Sequence, residues 1–321
     1  MGTIDNESRL YLSQNEIFAD AFNFLLHDGR RVIKPEELKE LDTAEIAIPY
    51  GNGARVPVQK YRDVFKLLSA MTDSNVIYLM LGAELQGKTH YAMPVKQGLY
   101  DMLGYARQVE EARHSYRKQP DTKEGALFVD GDALKIRLSG AEFLSGFRKK
   151  DKLIPIITAT VYLSDEVWDG PLDLHEMLDV KDKTLLKFIP NHPINLIAPA
   201  MIGDDEFNKF NTDLGFAMRV LKYQKENADQ IIEGTNHRKI ERGTAVFLNH
   251  IAKLELKYDE EEGDVDMCLA MENRDRKMKI TGAIDYMKDE GMSEQDIISR
   301  IMEKYQVTKE YVLDVMKPKT A

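Results

Sequence analysis

Two acidic residues sit where the chain can bring them together. Val76 to Ala83 is nearly all apolar, the pattern of a strand buried on both faces, and it runs directly into Glu84-Leu85-Gln86. Residues two apart on a strand point to the same side, so Glu84 and Gln86 project together from its end. Asp63, on the preceding expected strand (Arg55 to Phe65), supplies a second carboxylate. Two acids at adjacent strand ends, with a backbone carbonyl, form a hard oxygen site suited to Mg²⁺ or Mn²⁺. Such an ion activates water and neutralises charge on a phosphodiester. The plainer reading makes Asp63 and Glu84 solvated strand-end charges. Against it, Glu84 closes an apolar run, where an ionised carboxylate is costly unless bound or paired.

A second chemistry overlaps the first. Gly82 to Thr89 spells the phosphate-loop pattern GxxxxGK[ST] after an apolar strand, which implies an ATPase with Lys88 on the phosphates. That motif needs backbone amides around an anion and a helix starting at Gly87-Lys88-Thr89. Glu84 would put a negative charge in the cradle. Pro94 would fall inside the required helix, where proline costs roughly 3 kcal/mol. The seven histidines show no HxxxH or HxH spacing, so a histidine metal site is not expected. Gly51-Asn52-Gly53 reads as a turn, and the single cysteine, Cys268, excludes an internal disulfide framework or a thiolate zinc cluster.

The elements that must hold these residues follow from periodicity. Asn15 to Leu26 carries a helical apolar stripe closed by Asp28-Gly29. Pro35 to Leu41 reads as a short helix and Ala44 to Ile48 as a strand. Pro94 opens a helix to about Lys118, with Val95, Leu99, Leu103, Ala106 and Val109 on one stripe. Leu153 to Leu163 is a second buried strand. Beyond Pro199 the pattern is helical: Asp204 to Lys225, Ala228 onward, and Met271 to Met287. Ser293 and Thr308 then cap two short helices, Glu294 to Lys304 and Lys309 to Met316. Strands mixed with helices imply an α/β core with a helical carboxy-terminal region. The expected division is 1–258 for the core with its helical extension, and 259–321 for an acidic linker and tail. The tail offers a route to homo-oligomers.

Composition sets outer limits. The chain has 321 residues with 44 basic and 54 acidic side chains, a net charge of −10 that argues against a nonspecific nucleic-acid coat. Base is nevertheless local, at Arg148, Lys149, Lys150 and Lys152 and at Arg107, Arg113, Arg117 and Lys118, so a basic groove is compatible with the total. The longest mostly apolar stretch, Leu153 to Leu163, is too short to span a bilayer, and a soluble cytoplasmic protein is expected.

Several segments in order resemble one family. Phe18-Ala19-Asp20-Ala21-Phe22-Asn23, Lys60-Tyr61-Arg62-Asp63-Val64, Leu81-Gly82-Ala83-Glu84-Leu85-Gln86 and His90-Tyr91-Ala92-Met93-Pro94-Val95-Lys96 open the match. Tyr100-Asp101, Tyr105-Ala106-Arg107-Gln108-Val109, and the stretch from Ile154 to Pro171 continue it. Together they resemble the recombination-promoting nuclease and transposase-like (YhgA-like) family of PD-(D/E)xK nucleases, over about Asn15 to Glu226. The resemblance implies a restriction-endonuclease-like core with a mixed central sheet flanked by helices, acting as a Mg²⁺- or Mn²⁺-dependent DNA endonuclease. By the same resemblance Asp63 is the second-strand aspartate and Glu84-Leu85-Gln86 the (D/E)xK element. Asp20, or else Glu16, is then the first-helix acid that contributes to the metal. Gln86 stands where the superfamily usually has lysine, and Lys96 is the basic residue placed to substitute. A rival expectation is a DNA-binding relative whose cleavage chemistry has lapsed.

Overall fold

The structure is a computed structural model describing residues 3–42, 44–47, 58–61, 63–71, 76–117, 139–225, 239–252, 254, 256 and 264–316. The Gly51-Asn52-Gly53 turn, the helix expected from Ala228, and most of the acidic run lie outside them. Contacts divide the chain into two compact units, 1–215 and 216–321, so the division falls well before the acidic run.

The first unit opens with two helices, α1 (Thr3–Ser13) and α2 (Asn15–His27), followed by short strands β1 (Leu38–Glu40), β2 (Ala44–Ala47) and β3 (Val58–Tyr61). Then come the long strands β4 (Val64–Met71) and β5 (Val76–Gln86), helix α3 (Met93–Arg117), the short α4 (Gly140–Ser145), β6 (Ile156–Tyr162) and β7 (Asn195–Ile197). Five strands form one mixed sheet in the order β1-β4-β5-β6-β7. β1–β4 and β4–β5 pair antiparallel; β5–β6 and β6–β7 pair parallel. β2 and β3 form a separate antiparallel hairpin.

Side-chain alternation gives the sheet two covered faces. Phe18, Ala19 and Phe22 of α2 pack with Val64, Leu68, Leu81, Ala83 and Ala159 on one face. On the other, Gln97 of α3 donates to the Thr158 carbonyl at 2.7 Å and accepts from the Thr160 hydroxyl at 3.2 Å, while Thr158 donates to Asp101 at 2.6 Å. Glu84 and Gln86 alternate with Ala83 and so belong to the α3 face. The stripe of α2 ends where expected: Asp28 caps it in the left-handed conformation, and Gly29 follows at φ +80°. A β-carbon at Gly29 would come within 2.3 Å of the Lys209 carbonyl, so glycine is required there twice over.

Some expected elements take other forms. Pro35–Glu37 is a single 3₁₀ turn, and Leu38–Glu40 joins β4 as an edge strand because the sheet offers partners for its backbone. The expected strand Arg55 to Phe65 is divided between β3 and β4, with Asp63 just ahead of β4. β5 runs three residues past Ala83, which brings Glu84 and Gln86 into the sheet. Asp204 to Lys225 is a 3₁₀ turn (Asp204–Lys209), a break, and helix α5 (Leu214–Lys222). Lys66 is buried within β4; its ammonium donates to the Ser13 carbonyl at 2.5 Å and to Asn15, tying the α1–α2 junction to the sheet. Burial lowers its pKa.

The second unit contains most of α5, an antiparallel pair of short strands, β8 (Lys239–Glu241) and β9 (Asp264–Asp266), and between them α6 (Arg242–Ile251). Three further helices follow: α7 (Met267–Asp289), α8 (Glu294–Tyr305) and α9 (Lys309–Met316). Ile280, Ile284, Ile297, Ile298, Ile301 and Val312 make one core for these three. The expected caps are present: Ser293 accepts from the Asp296 amide at 3.2 Å and Thr308 from the Tyr311 amide at 3.3 Å. Among the described residues no helix is long and apolar enough to cross a membrane.

Candidate active site

β4 and β5 set the site. Val64 lies opposite Ala83, so the antiparallel register carries Asp63 to the level of Glu84 and Leu85. Asp63 accepts a hydrogen bond from the Leu85 amide at 2.8 Å. Its carboxylate is thereby held against the strand that bears Glu84. Glu84 itself is 1% exposed. The Lys96 ammonium lies 2.9 Å from its Oε2. A buried carboxylate needs such a counter-charge, because isolated it would be driven to neutralise.

Lys96 reaches Glu84 from the first turn of α3. Pro94 is tolerated there, because first-turn amides lack intrahelical partners and proline fixes a helical φ. One residue on, Gln97 clamps the helix to β6 through Thr158 and Thr160; Asp101, one turn later, adds the third bond. This clamp fixes where Lys96 stands. Neither Gln97 nor Asp101 was singled out from sequence as a site residue. Their i,i+4 spacing on a helix and the i,i+2 threonines on a strand were the signal. The ammonium of Lys96 also lies 5.8 Å from the centre of the Tyr100 ring.

Gln86 ends β5, half-buried, two residues beyond Glu84 and opposite Tyr162 of β6. Nearby loops close the strand ends: Tyr91 donates to Asp169 at 2.8 Å, and Trp168 packs edge-on against Tyr162. Hydrogen bonds from Thr89 and Tyr91 hold the Asp169 carboxyl below its ordinary range. The same segment does not adopt a phosphate-loop geometry. Gly87 to Ala92 is non-helical, and α3 starts only at Met93.

Asp20 stands elsewhere. It lies on α2, whose buried face packs on the opposite side of the sheet from Glu84, and it is 2% exposed. Its carboxylate accepts from the Asn211 amide at 2.8 Å, the Thr212 amide at 2.9 Å and the Thr212 hydroxyl at 2.6 Å, with a longer bond from the Asn211 side chain. The structure thus brings Asp63, Glu84, Gln86 and Lys96 together and leaves Asp20 as the anchor of the 209–212 loop. Glu16, the other first-helix acid, is exposed.

Among the described residues no three His, Cys, Asp or Glu side chains converge as a metal-binding group. Two carboxylates are therefore what the site offers. That donor set fits Mg²⁺, which keeps several waters and is commonly held by one or two carboxylates. Searches for similarity found no matching family model, curated protein or solved structure.

Proposed function

We propose that this chain is a metal-dependent DNA endonuclease, as its resemblance to the PD-(D/E)xK nucleases implies. The observation that carries the reading is the juxtaposition of Asp63, held by the Leu85 amide, with the neighbouring Glu84 at adjacent strand ends, and of Lys96 with Glu84. Asp63 and Glu84 would hold the divalent ion. When bound, that ion supplies charge neutralisation at the phosphodiester and lowers the pKa of attacking water. The chain's own groups do the rest. The Leu85 amide orients Asp63, and the Gln97 clamp orients Lys96. Lys96 brings from α3 the positive charge that Gln86 lacks, 2.9 Å from Glu84, where it can offset negative charge developing on phosphate. Gln86 keeps a hydrogen-bonding amide at the strand end but contributes no charge.

The ATPase alternative loses its main support, because the segment after the lysine–threonine pair is not the helix that a phosphate cradle requires. A lapsed nuclease would keep the same fold and the same Lys96–Glu84 pair, since a buried carboxylate needs a counter-charge with or without catalysis, and metal binding and cleavage separate the two readings. Titration calorimetry with Mn²⁺ tests the reading. One site is expected in the parent and none in Asp63→Ala; equal binding by both proteins rejects the assignment.

A further inference from the structure

The two basic groups noted in the sequence differ in one respect. On α3, Arg107 lies 2.9 Å from Glu111 and Arg113 lies 3.6 Å from Glu110, so those charges are matched along the helix. In the segment 148–152, Arg148, Lys149, Lys150 and Lys152 have no carboxylate within ion-pairing reach among the described residues. The one acid of the run, Asp151, is committed to the Tyr116 hydroxyl at 2.6 Å and the Arg148 amide at 2.8 Å. Glu142 attracts Arg148 electrostatically without forming an ion pair with it, and its carboxylate is taken up by the Ser139 and Lys149 amides.

Arg148 is the unusual member. It is only 8% exposed, its guanidinium lies 3.8 Å from the centre of the Tyr116 ring, and its Nε has no hydrogen-bond partner. A buried cation without a paired anion is unfavourable for folding. Stacking on an aromatic ring holds it in place but does not neutralise it. Directly beside it Lys149, Lys150 and Lys152 are exposed. Features that weaken a fold locally tend to be retained for binding.

We propose that the 148–152 loop, seated on the carboxy-terminal end of α3, is a second, cationic contact that grips a nucleic-acid phosphate backbone. The proposal rests on the nuclease reading for the identity of its ligand. From Lys96 to Tyr116, α3 advances about 30 Å at 1.5 Å per residue. That is roughly nine base pairs of duplex. A duplex engaged at Asp63 and Glu84 and following α3 therefore reaches the loop. Contact at a distance sets register and affinity without reading sequence.

The test is binding of a labelled duplex of about 30 base pairs in EDTA, read over a salt series, with plasmid cleavage in Mn²⁺ read in parallel. The triple substitution Lys149→Ala, Lys150→Ala, Lys152→Ala is expected to weaken binding tenfold or more on every sequence. It should also flatten the salt slope by about 2 to 3. The triple arginine variant at these positions should bind as the parent does. Removing three exposed lysines elsewhere, Lys181, Lys183 and Lys187, should cost little. Arg148→Gln should weaken binding severalfold with no fall in melting temperature. Parental binding by the triple alanine variant, equal loss in both triples, or an Arg148→Gln protein that melts lower yet binds as before would each overturn the proposal. Because binding is read without metal, a parent that binds through the loop but never cuts rejects the nuclease reading alone. A parent that cuts, with binding unchanged in the triple variant, rejects the loop alone.

Discussion

Lys96→Met is the most informative perturbation of the site. It removes the ammonium 2.9 Å from a carboxylate that is 1% exposed. The Coulomb attraction at that distance is about 6 kcal/mol at an effective dielectric of 20. Much of this offsets the desolvation of Glu84. Removing one partner of a fully buried pair costs about 3–5 kcal/mol. Lys96 keeps 29% of its side chain in water, so about 2–3 kcal/mol is the reasonable expectation here. In a unit of about 215 residues that lowers the melting temperature by roughly 4–12 °C. Glu84→Gln/Lys96→Met should recover most of the loss, giving a coupling of about 1–3 kcal/mol in the double-mutant cycle. Calorimetric melts test this. A Lys96→Met protein within 0.5 kcal/mol of the parent, or additive single effects, would refute the pairing argument.

Other expectations concern individual groups. Asp20→Ala should destabilise the first unit by several kcal/mol in denaturant melts, since it strips a buried hub of the Asn211 and Thr212 bonds, while Mn²⁺ affinity of the folded protein stays unchanged. Loss of the metal site with stability intact would instead return Asp20 to the ligand set. Mg-ATP should not bind at micromolar concentration; such binding, abolished by Lys88→Ala, would restore the ATPase. Glu142 is held below the ordinary carboxylate range by backbone hydrogen bonds from Ser139 and Lys149. Its contribution is full above the unfolded value and is lost as pH falls through the lower folded one. Protection of the 139–149 amides relative to their intrinsic exchange rates should therefore fall below about pH 4.5 in the parent and be already low at neutral pH in Glu142→Gln; pH-independent protection would contradict this.

Much of the fold was legible because it is local. The α2 stripe, the apolar runs of β5 and β6, Pro94 at the start of α3, and the Ser293 and Thr308 caps each report their element within a few residues. What was hidden depends on partners far along the chain. Leu38–Glu40 is a strand only because β4 lies beside it. The break before α5 exists because Asn211 and Thr212 are bonded to Asp20, about 190 residues away in sequence. Asp63 and Glu84 were legible as candidates. Their meeting depends on the β4–β5 register and on the interruption ahead of Val64, which reading Arg55 to Phe65 as one strand concealed. The clamp at Gln97 could be read only once α3 was laid along β6.

The central claim is that Asp63 and Glu84 serve phosphodiester hydrolysis. Cleavage of supercoiled plasmid by parent and Glu84→Gln proteins tests it most directly, in Mg²⁺ or Mn²⁺ with an EDTA control and folding checked by circular dichroism. The substitution keeps the side chain's shape and removes one charge. The account predicts metal-dependent cutting by the parent and a loss of about a hundredfold or more in the variant, with DNA binding retained or tightened. Parental cutting by a folded Glu84→Gln protein, or no cutting by the parent under any metal, would contradict it.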